Sequence, residues 1–432
     1  MKSTSIALLL CLVVSFAVAE QHGANAPSGM SLEQIEAAAQ IGSPEVRAAA
    51  RRVAIAEARV SRAGALDDPL FMYRDWGTPL NQPWNLNEAQ NMFMLQQTFP
   101  GSGKRAARSQ IANSEVEVAK QQLEAVRRNV QLRVRKAFYD LLRSYDELRI
   151  HEQQAQFANQ ALESARIKYT VGRVPQQDVL KAQVATSKLE EHLVMVEQEG
   201  ELARAALNTL MGRDPSTALD VVGRYSTRVH IPSLLDLQRL ATENRPELRA
   251  YLAQQSVAEA NVRLARKAYT PDYTVGLGYM LLPEGSMTRN NYMAEFTLNL
   301  PWLNRRKHDS EIQEAKAQSE TAHTEYEMQR SAVMLEIQEA LIKVRSAQRN
   351  LALYRDTLKP QAEATFKSTV AAYQHDRTDF LNLIDSQSML LEVESSFYRT
   401  AAELDSRLAE LERAIGTSLP ERDSEAQKGG QQ

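Results

Sequence analysis

A single cysteine, Cys11, occurs in 432 residues, and aromatic residues make up only 6% of the chain. Neither charge sign dominates: 51 Lys and Arg stand against 54 Asp and Glu, a formal net charge of -3. Bulk nucleic-acid binding, which draws on a basic excess, is therefore not expected. Disorder is excluded too, because 43% of residues are hydrophobic and only 24% charged. Long apolar runs are scarce. Beyond the N-terminal segment none reaches the ~18 residues of a membrane helix. That segment carries Lys2, an apolar run from Ile6 to Val18, and Ala17-Val18-Ala19 before Glu20. It reads as a secretory signal over residues 1–19. Lipidation at Cys11 would leave ten residues upstream and apolar sequence downstream, a poor fit. Cleavage after Ala19 leaves a chain of charge -4 without cysteine, so disulfides, thiol catalysis and Cys-based zinc sites are excluded.

Proline and glycine are also missing from Lys104 to Thr170. Such a stretch predicts about 100 Å of uninterrupted helix, too long for a compact globule. The turn Gly172-Arg173-Val174-Pro175 ends it, and a helix from Gln176 to Met211 runs back. Heptad seams follow Leu189, Val196, Ala203 and Leu210, then Leu383, Leu390, Phe397, Leu404 and Leu411, and Ile337, Val344, Leu351 and Leu358. This spacing predicts antiparallel coiled coils across each turn.

The chain is written twice. Ser43-Pro44-Glu45-Val46-Arg47 echoes Arg245-Pro246-Glu247-Leu248-Arg249, and Pro69 echoes Pro271, at an offset of 202. Tyr169, Arg173 and Gly212 echo Tyr373, Arg377 and Gly416 at 204. The expected organisation is a first repeat over 20–232, a second over 233–417 and a flexible tail over 418–432. Each repeat reads as helix, strand pair, very long helix, turn, helix. The fold class is mainly α with a small β part.

The strand pairs alternate with period two. Tyr273, Val275, Leu277, Tyr279 and Leu281 oppose Thr274, Gly276, Gly278 and Met280. Tyr292 to Leu300 does the same, as do Phe93 to Phe99 and, less cleanly, Leu70 to Trp76. One face is aromatic and aliphatic. The other carries Gln96, Thr98, Glu295 and Asn299. Strands of ~9 residues suit a tilted membrane strand, and lipid does not tolerate the two open edges of four strands. The barrel must then be shared between chains. Two chains would give eight strands with a filled interior, three would give twelve with room for a channel.

Other motifs point nowhere else. Gly101-Ser102-Gly103-Lys104 lacks the first glycine and the Ser or Thr of a phosphate loop, so it reads as a hinge between strand and helix. The seven histidines show no metal-binding spacing. Met72, Met92, Met94, Met280, Met287 and Met293 cluster in the barrel segments, where packing is the expected role and soft-metal contact the alternative. No metal centre, cofactor or catalytic residue is expected.

Together these residues resemble the outer-membrane factor, or TolC-like, family of channel-tunnel efflux proteins. The resemblance rests on Phe99-Pro100-Gly101 and Leu300-Pro301-Trp302 between strand and helix, and on the helix ends Asn208 to Gly212 and Arg413 to Gly416. It rests above all on Tyr169-x-x-Gly172 followed by Asp178-Val179-Leu180-x-Ala182-Gln183, with a looser copy from Tyr373 to Gln387. It implies a homotrimer with an α-helical barrel and a shared 12-stranded transmembrane β-barrel in the outer membrane, and a large periplasmic portion. Its partners would be outer-membrane lipid, a periplasmic adaptor (membrane fusion protein) and an inner-membrane pump of the RND type. The chain would be a passive exit duct, not an enzyme. The wording around Phe99 to Ala106 looks closest to the heavy-metal cation branch.

The resemblance also implies site residues. The periplasmic gate would comprise Asp385, Asn382, Asp178, Tyr373 and Arg377. Adaptor contact would fall on the tips, at Val171, Gly172, Arg173, Val174, His375, Asp376 and Thr378. The barrel-to-tunnel hinge would be Pro100, Gly101, Gly103 and Pro301. A type I secretion duct shares this fold, and a soluble periplasmic coiled-coil scaffold is the alternative of another class.

Overall fold

The computed structural model describes residues 29–419 except 79, 82, 83, 86, 227–229 and 376. The expected signal segment and all but two residues of the expected tail lie outside the described residues. Two short helices, α1 (Leu32–Gly42) and α2 (Pro44–Ala63), open the first repeat. Ser31 closes a capping box on Gln34, satisfying two of the free N–H groups at the start of α1. Strands β1 (Leu70–Trp76) and β2 (Gln90–Phe99) follow, then α3 (Lys104–Thr170) and α4 (Gln176–Leu210). The second repeat runs α5 (Leu234–Asn244), α6 (Pro246–Arg266), β3 (Tyr273–Leu281), β4 (Asn290–Leu298), α7 (Arg305–Leu353), α8 (Lys359–Gln374) and α9 (Phe380–Ile415).

The helix α3 has the expected bounds and 67 residues. Three differences from the sequence reading have physical causes. The first is a short helix, α1 or α5, before each proline-led helix. Leu237 and Ala241 of α5 and Ile35 and Ala39 of α1 are fully buried, so tertiary packing stabilises helices too short to stand alone. Second, β4 begins at Asn290 and ends at Leu298 rather than spanning Tyr292 to Leu300. Asn299 keeps one ladder bond, its N–H to the Asp272 carbonyl at 3.2 Å, but its side chain rather than its carbonyl accepts the Asp272 N–H at 2.6 Å. The third is the second long helix, which is not continuous. A π turn, Tyr354–Leu358, separates α7 from α8, with the Lys359 N–H on the Tyr354 carbonyl. Pro360 sits at the start of α8. Proline lacks an N–H and clashes with the carbonyl four residues back; a widened turn accommodates both and lets the helix resume.

Packing is divided along the molecule. One apolar cluster joins α5, α6, α7 and α9 around Leu248, Ile337, Val344, Leu404 and Leu411. A second joins α1, α2, α3 and α4 around Ile35, Val134, Phe138, Leu141 and Leu207. A third lies near the tips, around Leu162, Ala182, Tyr373, Phe380 and Leu383. The two repeats meet their own elbows in the same way. Gly212 (φ 71°) at the end of α4 abuts Gly42 at the end of α1, and Gly416 (φ 75°) at the end of α9 abuts Arg245 between α5 and α6. A Cβ at either glycine would lie under 3 Å from backbone atoms, and the positive φ strains any other residue.

Candidate functional site

The four strands form one antiparallel sheet in the order β1-β2-β3-β4, so the two repeats join through β2 and β3. Opposite residues of a ladder share a face. The register therefore places Phe71, Tyr73, Phe93, Leu95, Phe99, Tyr273, Leu277, Tyr279, Tyr292 and Phe296 on one face. Much of that face is open: Tyr292 is 91% exposed, and Phe71, Leu277 and Phe296 are each above 60%. A contiguous apolar sheet face of this kind requires a non-aqueous neighbour. The opposite face carries Gln96, Gly276 and Glu295 in one row and Thr98, Thr274 and Thr297 in another. Asn299, expected there, instead serves the hinge.

The same register gives the methionines their face. Met72, Met94 and Met293 share one row with Gly278, and Met92 and Met280 share the next. All five lie on the polar face, away from the aromatic one. Gln96 Nε2 donates to the Met94 sulfur at 3.0 Å and Gln90 Nε2 to the Met280 sulfur at 2.8 Å. The thioethers thus sit among amides rather than among the aromatic rings.

At the hinge, Gly103 takes φ 83° and opens α3. Gly101 lies so close to the Pro271 carbonyl that a Cβ would approach it to 2.6 Å. Its N–H donates to Asp272 Oδ1 at 2.6 Å, and Lys104 Nζ reaches the same oxygen at 2.8 Å. Pro100 ends β2, and the buried Pro301 opens a 3-10 turn (Pro301–Asn304) into α7. The four hinge residues hence flank a clasp centred on Asp272, which sequence reasoning did not single out.

At the first tip, Gly172 has φ 73° and nothing within 4 Å of a built Cβ, so backbone conformation alone calls for glycine. The Arg173 N–H closes onto the Lys168 carbonyl at 2.8 Å, as in a Schellman end. Val171 is 65% exposed, Arg173 is exposed and Val174 half-buried. At the second tip the Arg377 N–H closes onto the Ala372 carbonyl at 2.9 Å, the same six-residue closure. His375 and Arg377 are exposed; Asp376 lies outside the described residues. Asp379 caps α9 by accepting the Asn382 N–H at 2.9 Å, and Asn382 Nδ2 donates to Thr378 Oγ1 at 3.2 Å.

The five gate residues are not bonded to one another within the chain, among the described residues. Tyr373 is buried against Phe380 with Lys168 Nζ 4.0 Å from its ring centroid, and its hydroxyl lacks a hydrogen-bond partner. Asp178 is half-buried in the first turn of α4, where the helix dipole favours an acid. Asp385 and Asn382 are exposed on α9.

Asp385 lines a groove of about 720 Å³ between α4 and α9, floored by His151 of α3. His192 of α4 lines it as well, and the two imidazoles lie 5.7 Å apart, tilted by 24°. Burial, then the proximity of His192, lowers the pKa of His151. Sequence reasoning looked for histidines adjacent along one helix and missed this pair. The signal was present: His151 lies 21 residues before Gly172 and His192 lies 20 after it, so an antiparallel hairpin turning there sets them side by side. His151 belongs to a polar stretch of the α3 seam. Ser144, Glu147, His151 and Gln154 are all at least nine-tenths buried and fall at heptad spacing, between the second and third apolar clusters.

No helix among the described residues is long and apolar enough to cross a membrane. The family model described as outer membrane efflux protein matches residues 37–213 and 237–417, one segment in each repeat. The chain is 23% identical over 314 residues to the cobalt-zinc-cadmium resistance protein CzcC of Cupriavidus metallidurans, covering 73% of this chain and 74% of that one. It is 23% identical over 316 residues to the nickel-cobalt-cadmium resistance protein NccC of Alcaligenes xylosoxydans xylosoxydans, covering 72% and 69%. Among solved structures, CusC, whose structures concern folding and transmembrane channel formation, superposes with a TM-score of 0.77 at 16% identity, covering 90% of this chain and 92% of that one. The outer membrane protein VceC of Vibrio cholerae superposes at 0.74 and 17% identity, covering 90% and 97%. With a duplicated fold, an open aromatic sheet face and a family match across both repeats, this chain belongs to the outer membrane efflux protein family, whose members are channels rather than enzymes.

Proposed function

We propose that the chain is the outer-membrane duct of a tripartite efflux system and that its cargo is divalent transition-metal cations. Three copies close the sheet into a 12-stranded barrel by pairing β1 of one copy with β4 of the next. The observation that carries this reading is the sheet itself. It has an exposed aromatic face, a polar opposite face and two unpaired edges, and a membrane span demands that every backbone group be bonded. The polar face then lines an aqueous lumen continuous with the space between the long helices. Energy comes from an inner-membrane pump of the RND type, and a periplasmic adaptor engages the tips at Val171 to Val174 and His375 to Thr378. The metal cargo is supported by the two resistance proteins that match over most of the chain.

Two measurements test the reading. Purified in mild detergent, the protein is expected to run as a trimer from the outer-membrane fraction; a folded, detergent-free monomer would sink the barrel. Deleting the gene is expected to raise cell-associated cobalt, zinc or cadmium, and restoring it to reverse the rise. Unchanged metal content would rule out the cargo.

A further inference from the structure

We infer that His151 and His192 form a transit site for a divalent transition-metal ion in the wall of the α4/α9 groove. The inference rests on the metal-cation reading above and adds where the ion touches the duct. Neutral imidazole is a common ligand for borderline divalent ions such as zinc and nickel. The structure brings two imidazoles to one cavity from two helices that meet only because the chain reverses at Gly172. His151 is 94% buried, being 6% exposed, and its Nδ1 is sealed from solvent without a hydrogen-bond partner. Ser395 of α9, lining the same groove, has a hydroxyl in the same condition. Buried polar atoms are nearly always satisfied, and one left unpaired destabilises by ~1–3 kcal/mol. Both atoms belong to residues that line one cavity, so that cavity is where an entering ion and its water shell could give them partners.

The two histidines differ in a useful way. His151 is fixed in the floor, while His192 is exposed and free to change rotamer. Two nitrogens on one ion must come within about 4 Å of each other, since each metal–nitrogen bond is about 2.1 Å. The rings, at 5.7 Å between centroids, need a modest turn of the exposed one. The remaining charged lining is mixed: Asp385 and Glu392 against Lys181, Lys188 and Arg399. With two acids against three bases, a cation gains two nitrogen ligands and is weakly opposed by the lining charge. That suits a site in a duct, which must release what it binds. No third His, Cys, Asp or Glu completes a cage among the described residues.

The test uses the full protein assembled in detergent, without an oligohistidine tag. Titration with Ni²⁺ is expected to show saturable binding, and Cu²⁺ in its place to show imidazole-nitrogen coupling by electron paramagnetic resonance. Losing even an outer partner of a metal ligand costs about 10–100-fold in affinity. His192→Gln, at an exposed position that should not disturb folding, is thus expected to weaken Ni²⁺ binding at least tenfold. His323→Gln, on the exposed surface of α7, should leave it unchanged. Absence of saturable binding by the unaltered protein, or equal binding by His192→Gln, overturns the site while the duct reading stands on its own tests. Intact Ni²⁺ binding with no effect of the gene on cellular metal removes the cargo, and with it the transit role.

Discussion

The two hairpins stand on the same fold but meet the same mechanical problem differently. Twenty-one residues before Gly172, roughly 30 Å above the tip, α3 stays regular and places His151 in a polar seam. The position one repeat later, Arg355, falls within the π turn that precedes Pro360. Pro360 itself has Gln156 as its counterpart in α3. One hairpin is irregular in its side chains, the other in its backbone, at the same height. Both lie just above the tip cluster, which is thereby set apart from the apolar clusters higher up. A duplicated module held by packing alone would have kept the same seam in both copies. The divergence falls at the level where a groove opens between α4 of the first copy and α9 of the second, and where the π turn interrupts the long helix of the second.

The elbows give the comparison its largest expected effect. In the first repeat Ser43 makes no side-chain cap bond. In the second, Arg245 is 2% exposed and donates to Glu336 at 2.6 Å and to the Ala414 carbonyl at 3.1 Å. Arg413 shares Glu336 and also reaches Glu247 at 3.1 Å. Breaking a buried pair by removing one partner typically costs about 3–5 kcal/mol. Arg245→Ala is therefore expected to lower the denaturant midpoint sharply, and Ser43→Ala, which breaks no cap bond, to lower it far less. Equal effects of the two would mean that the elbows are energetically alike.

Next in size is Asp405, whose counterpart in the first repeat is the exposed Glu201. Burial raises the Asp405 pKa to about 6, against the bonds it accepts from Ser226. An unfolded aspartate titrates near 3.8. Between these values the folded chain holds the proton and the unfolded chain does not. The contribution of Asp405 to stability is thus greatest below about pH 4 and falls as pH rises to about 6, by roughly 3 kcal/mol in total. Asp405→Asn is expected to recover most of that at pH 7 and to flatten the pH 4–6 dependence, whereas Glu201→Gln should do neither. Thermal melting across that range checks both.

Much of this was legible in the sequence, because it depends on local rules. Missing Pro and Gly set the ends of α3, and period-two alternation separated the aromatic sheet face from the polar one. Gly172 announced the tip. The rest depends on contacts between distant segments. The β2–β3 ladder that joins the repeats, the Asp272 clasp and the His151–His192 pair bring together residues 41 to 190 positions apart, which periodicity along one element does not reveal. Pro360 was visible in the sequence, but a π turn is one of several ways to accommodate a proline, and a single sequence does not choose among them.

The tips provide a smaller test. Gly172→Ala has room for its Cβ but must hold φ 73°, a conformation that costs about 1–2 kcal/mol for an L-residue. The hairpin is expected to lose that much stability locally, seen as faster hydrogen exchange near Thr170 to Val174 with the amides around Val134 and Phe138 unchanged. Unaltered exchange would show that the first tip does not depend on its left-handed residue.

The smallest expected effect separates the two residues proposed for a cation ring at the gate. Asp385 is exposed in the α4/α9 groove, outside the capping network of α9. Threefold symmetry would bring three such carboxylates toward one axis, where they attract cations. Asp385→Ala is accordingly expected to weaken divalent block and cation preference in planar bilayers without changing assembly. Asn382 is placed differently. Its backbone N–H is held by Asp379, and its side chain donates to Thr378. A carboxylate there cannot make that donation and would stand beside the Asp379 carboxylate. The α9 N-terminus stabilises added negative charge, but the neighbouring acid takes up part of that field. Asn382→Asp is hence expected to strengthen divalent block by less than Asp385→Ala weakens it. A larger change from Asn382→Asp would make Asn382, not Asp385, the position nearest the constriction. No change from either, in a correctly assembled trimer, would remove this stretch of α9 from the gate.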